Sequence, residues 1–336
     1  MRLATVFLGA VIAAAWPTPA GAYLKFGVRI DSRVVDVRWA GTVSYFINER
    51  EVPGVTAAAL RDAVVRAFRA WEAVETAQVR STFVGFTTAP PLLEDRRTTI
   101  GFMDRPDLER VLGATSFVLD ARTGEILEAD IFFNTRFSWS VASGGEQGRI
   151  DLESVAVHEI GHLLGLGHSA IGETEMLDGG RRRVLGSGAV MFPIAFAGGS
   201  VADRSLQPDD IAGISDVYPV AGLDTASGTI TGRVTMNGRG VFGAHVLAIS
   251  LDRGTLVGGF SLTASGEFAI ARLPPGAYLL RVEPLDDADP ESFFSQRAET
   301  GFDVTYAPRV IVVPAGGSSG AIEVAVRPRA AAREVP

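Results

Sequence analysis

Three of the chain's four histidines fall within eleven residues, in the run Val157-His158-Glu159-Ile160-Gly161-His162-Leu163-Leu164-Gly165-Leu166-Gly167-His168. Positions i and i+4 of a helix share a face, so His158 and His162 can reach one metal ion from the same side. Glu159 then stands about a quarter-turn round. Leu152, Ala156, Ile160, Leu163 and Leu164 fall on the far side, where they can anchor the helix in a core. A third ligand cannot come from the next helical turn. Gly165 tolerates the left-handed backbone that ends a helix and turns the chain back, which lets His168 close the set. Three neutral imidazoles leave one position of a tetrahedral zinc open, as a catalytic ion requires and a structural one does not. Zinc lowers the pKa of a bound water to roughly 7. Glu159 can take that water's proton as it attacks a carbonyl carbon, and later return one to a leaving amine. A bare H-E-x-x-H fits a surface helix with two incidental histidines just as well. The added glycine and third histidine are what point to a zinc hydrolase.

The full pattern H-E-x-x-H-x-x-G-x-x-H, here His158 to His168, is the signature of the metzincin metallopeptidases. With Ser169 after it and Val155-Ala156-Val157 before it, the stretch most resembles the matrixins, the matrix-metalloproteinase branch. The resemblance implies an endopeptidase with one catalytic zinc, acting on protein or peptide substrates. It also implies an α+β domain with a mixed five-stranded sheet, three helices and a methionine turn beneath the metal. Two methionines compete for that turn. Met176 lies eight residues after His168 and Met191 twenty-three. Met191 is followed by the apolar, rigid Phe192-Pro193, whereas Leu177-Asp178-Gly179-Gly180 after Met176 would put a polar loop under the ion. We therefore expect Met191 at the turn, Phe192 and Pro193 beside the pocket for the residue after the scissile bond, and residues 173–188 looping out as an insertion. By the same resemblance, Gly113, Ala114 and Thr115 lie on the sheet edge that holds substrate as an added strand.

The elements that must position these residues are legible as patterns. Val34 to Asn48 reads as a strand. Thr56 can cap a helix to about Val74, with Leu60, Ala63, Val64, Ala67, Phe68 and Trp71 as its apolar stripe. Further strands are expected at Arg80–Phe86, Thr98–Phe102, Leu112–Phe117 and Glu128–Asn134. Asp151 is a plausible N-cap for the histidine helix. Pro208, Asp209 and Asp210 suit the first turn of a closing helix. Asp120, Glu128 and Asp130 are candidates for calcium, although acids around a turn are more often simply solvated. No histidine precedes His158, so the second, structural zinc of vertebrate-type matrixins is not expected. No cysteine occurs, so neither is their cysteine-based latency switch.

Of the 336 residues, positions 1–22 read as a signal peptide: a basic start, a short apolar run and Ala20-Gly21-Ala22. That predicts a secreted, extracellular or periplasmic protein without a membrane span after cleavage. Basic residues are nearly all arginine, with Lys25 the only lysine, a composition that suits a bacterial type. The net charge of −8 argues against a nucleic-acid partner. The catalytic domain is expected over 23–221, a linker at 222–227, and a tail at 329–336. Residues 228–328 carry short strands separated by glycine and proline, with His245 on one of them. They read as an all-β sandwich, resembling a carboxypeptidase-regulatory-like domain of transthyretin-like fold. Two rival functions share these features. One is a non-catalytic adhesion or scaffold protein stabilised by zinc, against which Glu159 speaks. The other is a zinc hydrolase of a non-peptide amide.

Overall fold

The structure is a computed structural model describing residues 3–7, 25–30, 33–177, 181–195, 198–285 and 290–329. The expected signal peptide, apart from Leu3–Phe7, and nearly all of the expected tail lie outside the described residues. The chain divides into two compact units, one built on Lys25–Val220 and the other on Ala221–Pro336.

In the first unit the strands are β1 (Leu3–Phe7), β2 (Gly27–Ile30), β3 (Arg33–Asp36), β4 (Val43–Asn48), β5 (Ser81–Thr87), β6 (Thr98–Met103), β7 (Gly113–Asp120) and β8 (Ile126–Asn134). The main sheet runs β1-β7-β8-β6-β4-β5. Pairing is parallel from β8 through β6 and β4 to β5, and antiparallel between β7 and β8. The sheet is thus mixed, with six strands rather than the expected five, because β1 pairs antiparallel with Ser116–Asp120. The strand expected over Val34–Asn48 is broken into β3, which pairs with β2, and β4, which joins the main sheet; Val37, just after β3, lies with its carbonyl against Gly165.

Helix α1 (Ala57–Glu72) starts at Thr56, whose hydroxyl accepts from Ala59 N at 3.2 Å. Its six-residue stripe is buried throughout, and Trp71 Nε1 donates to Val157 O at 2.9 Å, tying α1 to the histidine helix. After the short strands β9 (Trp139–Ser140) and β10 (Ile150–Asp151) comes that helix, α2 (Leu152–Leu163). Asp151 caps it, accepting from Ser154 N at 2.9 Å, and is held in turn by Arg204. The described residues of the expected 173–188 insertion are not an irregular loop. They form a hairpin of β11 (Gly172–Leu177) and β12 (Arg181–Ser187), with a bulge after Glu173. Helix α3 (Pro208–Val217) closes the unit.

The second unit opens with a helical turn, α4 (Leu223–Ala226), inside the stretch expected to be plain linker. Its strands are β13 (Gly228–Met236), β14 (Arg239–Gly240), β15 (His245–Ser250), β16 (Leu256–Phe260), β17 (Glu267–Leu273), β18 (Gly276–Glu283), β19 (Thr305–Tyr306), β20 (Ile311–Val313) and β21 (Ser318–Val326). They make two all-β sheets. One joins β14, β13, β17 and β21; the other joins β16, β15, β18, β19 and β20. Ile230, Val234, Val246, Ala248, Ile270, Leu280 and Val282 supply its core, the alternating residues of paired strands.

Candidate metal centre

Helix α2 is buried along almost its whole length, so its polar side chains must find partners inside the unit. His158 and His162 lie one turn apart, and their ring centroids are 4.7 Å apart. His158 Nδ1 donates to Val190 O and His162 Nδ1 to Leu166 O, each at 2.8 Å. A carbonyl can only accept, so both rings carry their proton on Nδ1 and keep the Nε2 lone pair free. Burial, then the neighbouring imidazoles, pushes His158 down to about 3 and His162 well below its ordinary range. Both are neutral at physiological pH.

His168 arrives because the helix ends as it does. Gly165 has φ +100°, and a Cβ there would lie 2.2 Å from Val37 O. Leu166 N donates to Gly161 O at 3.0 Å and Gly165 N to His162 O at 2.7 Å, a Schellman closure. The ring of His168 then comes within 4.8 Å of His162 and 5.5 Å of His158, centroid to centroid. The three ligand atoms lie within 4.8 Å of one another. This donor set fits zinc: three imidazole nitrogens facing one point, two of them fixed by main-chain partners on the opposite ring nitrogen.

Glu159 is buried beside the histidines and is not one of the converging group. Burial pushes its carboxyl up to about 8, against the pull of the Thr115 hydroxyl, which donates to Oε2 at 2.8 Å. Thr115 is itself 1% exposed, and its hydroxyl serves Glu159. Gly113 sits on the same carboxylate: a Cβ there would meet Glu159 Oε1 at 3.3 Å. Ala114 is buried. Among the described residues no strand pairs with Gly113–Thr115 on the side away from β8.

Beneath the helix, a Cβ on Gly161 would meet Met191 Sδ at 2.3 Å and Trp71 at 2.8 Å, so only glycine lets the methionine approach this closely. Met191 is buried, whereas Met176 on β11 is 56% exposed. Phe192 is buried with its ring against Gly172, at the root of the hairpin, and Pro193 is half-buried. Asp210 is the residue that sequence reasoning missed. Expected only to favour a helix start, it accepts from Val190 N at 2.9 Å, Met191 N at 3.1 Å and Gln207 N at 2.8 Å. Burial pushes it up to about 6 against these three N–H bonds. Because Val190 O in turn holds His158, Asp210 reaches a candidate ligand through one peptide unit.

The acids considered for calcium are otherwise engaged. Asp130 accepts from Leu92 N at 2.5 Å and Thr99 N at 2.7 Å, Glu128 accepts from Arg96 N, and Asp120 pairs with Arg122. These contacts pin the 92–99 segment and one turn, and they do not gather the three carboxylates into one cluster.

Residues 38–179 match the family model of the matrixins. The chain therefore carries a matrixin domain. It is 33% identical over 168 residues to metalloendoproteinase 5-MMP of Arabidopsis thaliana, covering 46% of this chain and 38% of that protein. It is 32% identical over 197 residues to the hatching enzyme of Paracentrotus lividus, covering 57% of this chain and 26% of that one. Rattus norvegicus matrilysin is 35% identical over 95 residues, covering 28% of each. The chain thus spans 26–38% of the length of these relatives. The matrixin domain contains all three histidines and Glu159, and the family match ends before Met191.

Proposed function

We propose that this chain is a secreted zinc endopeptidase of matrixin type. The observation that carries the proposal is a buried carboxylate, Glu159, beside three converging imidazoles without belonging to their ligand set. A purely structural zinc site has no use for such a group, which weighs against an adhesion or scaffold role. His158, His162 and His168 hold the ion. Zinc at that point supplies Lewis-acid activation of water and of a peptide carbonyl. Glu159 accepts the proton of the attacking water and delivers one to the leaving nitrogen, a contribution worth ~10²–10⁴-fold. Thr115 keeps the carboxylate turned toward that task. Main-chain groups of Gly113, Ala114 and Thr115 bind substrate as an added strand, which favours a peptide over a small amide. Met191 forms the floor beneath the ligands, and Phe192 and Pro193 line the pocket wall behind it. The second unit is a carboxypeptidase-regulatory-like sandwich that serves as a spacer or binding accessory. Among the described residues no helix is long and apolar enough to cross a membrane.

The test is cleavage-site profiling of the purified chain on a mixed peptide library, with and without a chelator. Internal cleavage that is lost on chelation and restored by zinc is expected. A zinc-loaded chain that cuts no peptide would return the scaffold reading. One that hydrolyses only small non-peptide amides would favour the third.

A further inference from the structure

The only lysine in the chain lies far from the histidine run in sequence and reaches its underside in the fold. Lys25 Nζ donates to Asp216 Oδ2 at 2.7 Å and to Asp36 Oδ2 at 3.0 Å, and its side chain is 11% exposed. Its backbone bridges Leu166. The next residue continues the attachment: Phe26 N donates to Gly165 O at 2.9 Å, and its ring lies 6.0 Å from that of His162 and 5.6 Å from that of Phe117.

These contacts fall on the carbonyls that a helix end leaves without intrahelical partners. Leu163 O accepts from Trp39 Nε1 and Leu164 O from the Tyr218 hydroxyl, both at 2.9 Å. Gly165 O takes Phe26 N, and Leu166 O takes His162 Nδ1. Every carbonyl from 163 to 166 is thus held, and the last one fixes a candidate ligand. The orientation of His162 depends on where Leu166 O stands, and Lys25–Phe26, just ahead of β2, is the segment that fastens Leu166 and Gly165 from outside. Asp216 belongs to α3, so the ammonium joins that helix to the turn. Burial alone would lower the Lys25 pKa, but the two aspartates outweigh it and keep the ammonium charged.

We propose that Lys25 is a positioning residue for the metal centre, fastening the Gly165–Leu166 turn to Asp216 and Asp36 so that His162 keeps its ligating orientation. This rests on the zinc reading given above.

The test uses the full chain loaded with zinc or with cobalt(II). Lys25→Met should release zinc to an excess chelator roughly tenfold faster, the lower end of what loss of support around a ligand costs. It should also alter the visible absorption of the cobalt form. Lys25→Arg should restore both readouts, since it keeps the charge and can reach both carboxylates. If Lys25→Met fails to fold, Asp216→Asn carries the same expectation and breaks the same link from α3. Wild-type release and an unchanged cobalt spectrum in a folded, metal-bound Lys25→Met or Asp216→Asn would overturn the proposal. A wild-type chain that takes up neither ion would overturn the zinc reading, and this proposal with it.

Discussion

His162 in the matrixin domain and His245 in the second unit are buried to the same degree, 3% and 2% exposed, yet they are built for different ends. His162 gives its Nδ1 proton to a neutral carbonyl and turns its other nitrogen toward two more imidazoles. His245 places Nδ1 3.0 Å from the Glu283 carboxylate, stacks on Phe260, and leaves Nε2 buried with no hydrogen-bond partner among the described residues. Glu283 also pairs with Arg281, so His245 belongs to a cross-strand polar network on a β-sheet. Burial alone therefore does not mark a ligand. What marks one is the convergence of three imidazole nitrogens on one point, with the opposite ring nitrogens of His158 and His162 held by main-chain carbonyls. Four histidines in one chain make the contrast a controlled one.

The sharpest way to break this contrast is to remove each histidine. His162→Ala should abolish tight zinc binding, whereas His245→Ala should leave zinc content unchanged and lower only the stability of the folded chain. Metal analysis of the two purified proteins checks this, and equal zinc content in both would erase the distinction. The next largest effect concerns what lies under the ligands. Met191→Ala removes a buried side chain packed on Gly161 and should cost ~2–5 kcal/mol in unfolding free energy, whereas Met176→Ala removes an exposed one and should be nearly silent. Denaturant titration of both variants decides the matter. A smaller effect is expected from Asp210→Asn. An amide cannot accept from Val190, Met191 and Gln207 together, so one buried N–H loses its partner at ~1–3 kcal/mol. The same titration measures that cost, with faster zinc release expected beside it because Val190 holds His158.

Much of this was legible in the sequence because it rests on local rules. The spacing of His158, Glu159 and His162 needs only the helical repeat, and Gly165 announces the turn that delivers His168. The stripe from Leu60 to Trp71 and the cap at Thr56 follow from periodicity and hydrogen-bonding chemistry. The parts that escaped depend on contacts between distant segments. Thr115 reads as a strand residue on a substrate edge, and only the folded sheet turns its hydroxyl onto Glu159. Asp210 reads as a helix-start acid, since nothing in its neighbourhood announces that residues 190 and 191 will present their N–H groups to it. Gly161 looks like a filler inside H-E-x-x-H until Met191 is packed against it. The stretch 173–188, rich in glycine and arginine, carries too little apolar alternation to reveal a hairpin. The break after β3 is likewise tied to a distant contact, since Val37 O lies against Gly165, well over a hundred residues away.

The central claim is that the histidines bind while Glu159 reacts, and one paired measurement on Glu159→Gln tests it most directly. The variant keeps the size of the side chain and removes only its capacity to take a proton. We expect it to hold zinc with the same stoichiometry as the wild type and to cleave peptides ~10²–10⁴-fold more slowly. A Glu159→Gln protein that retains zinc and cleaves at the wild-type rate would contradict the account.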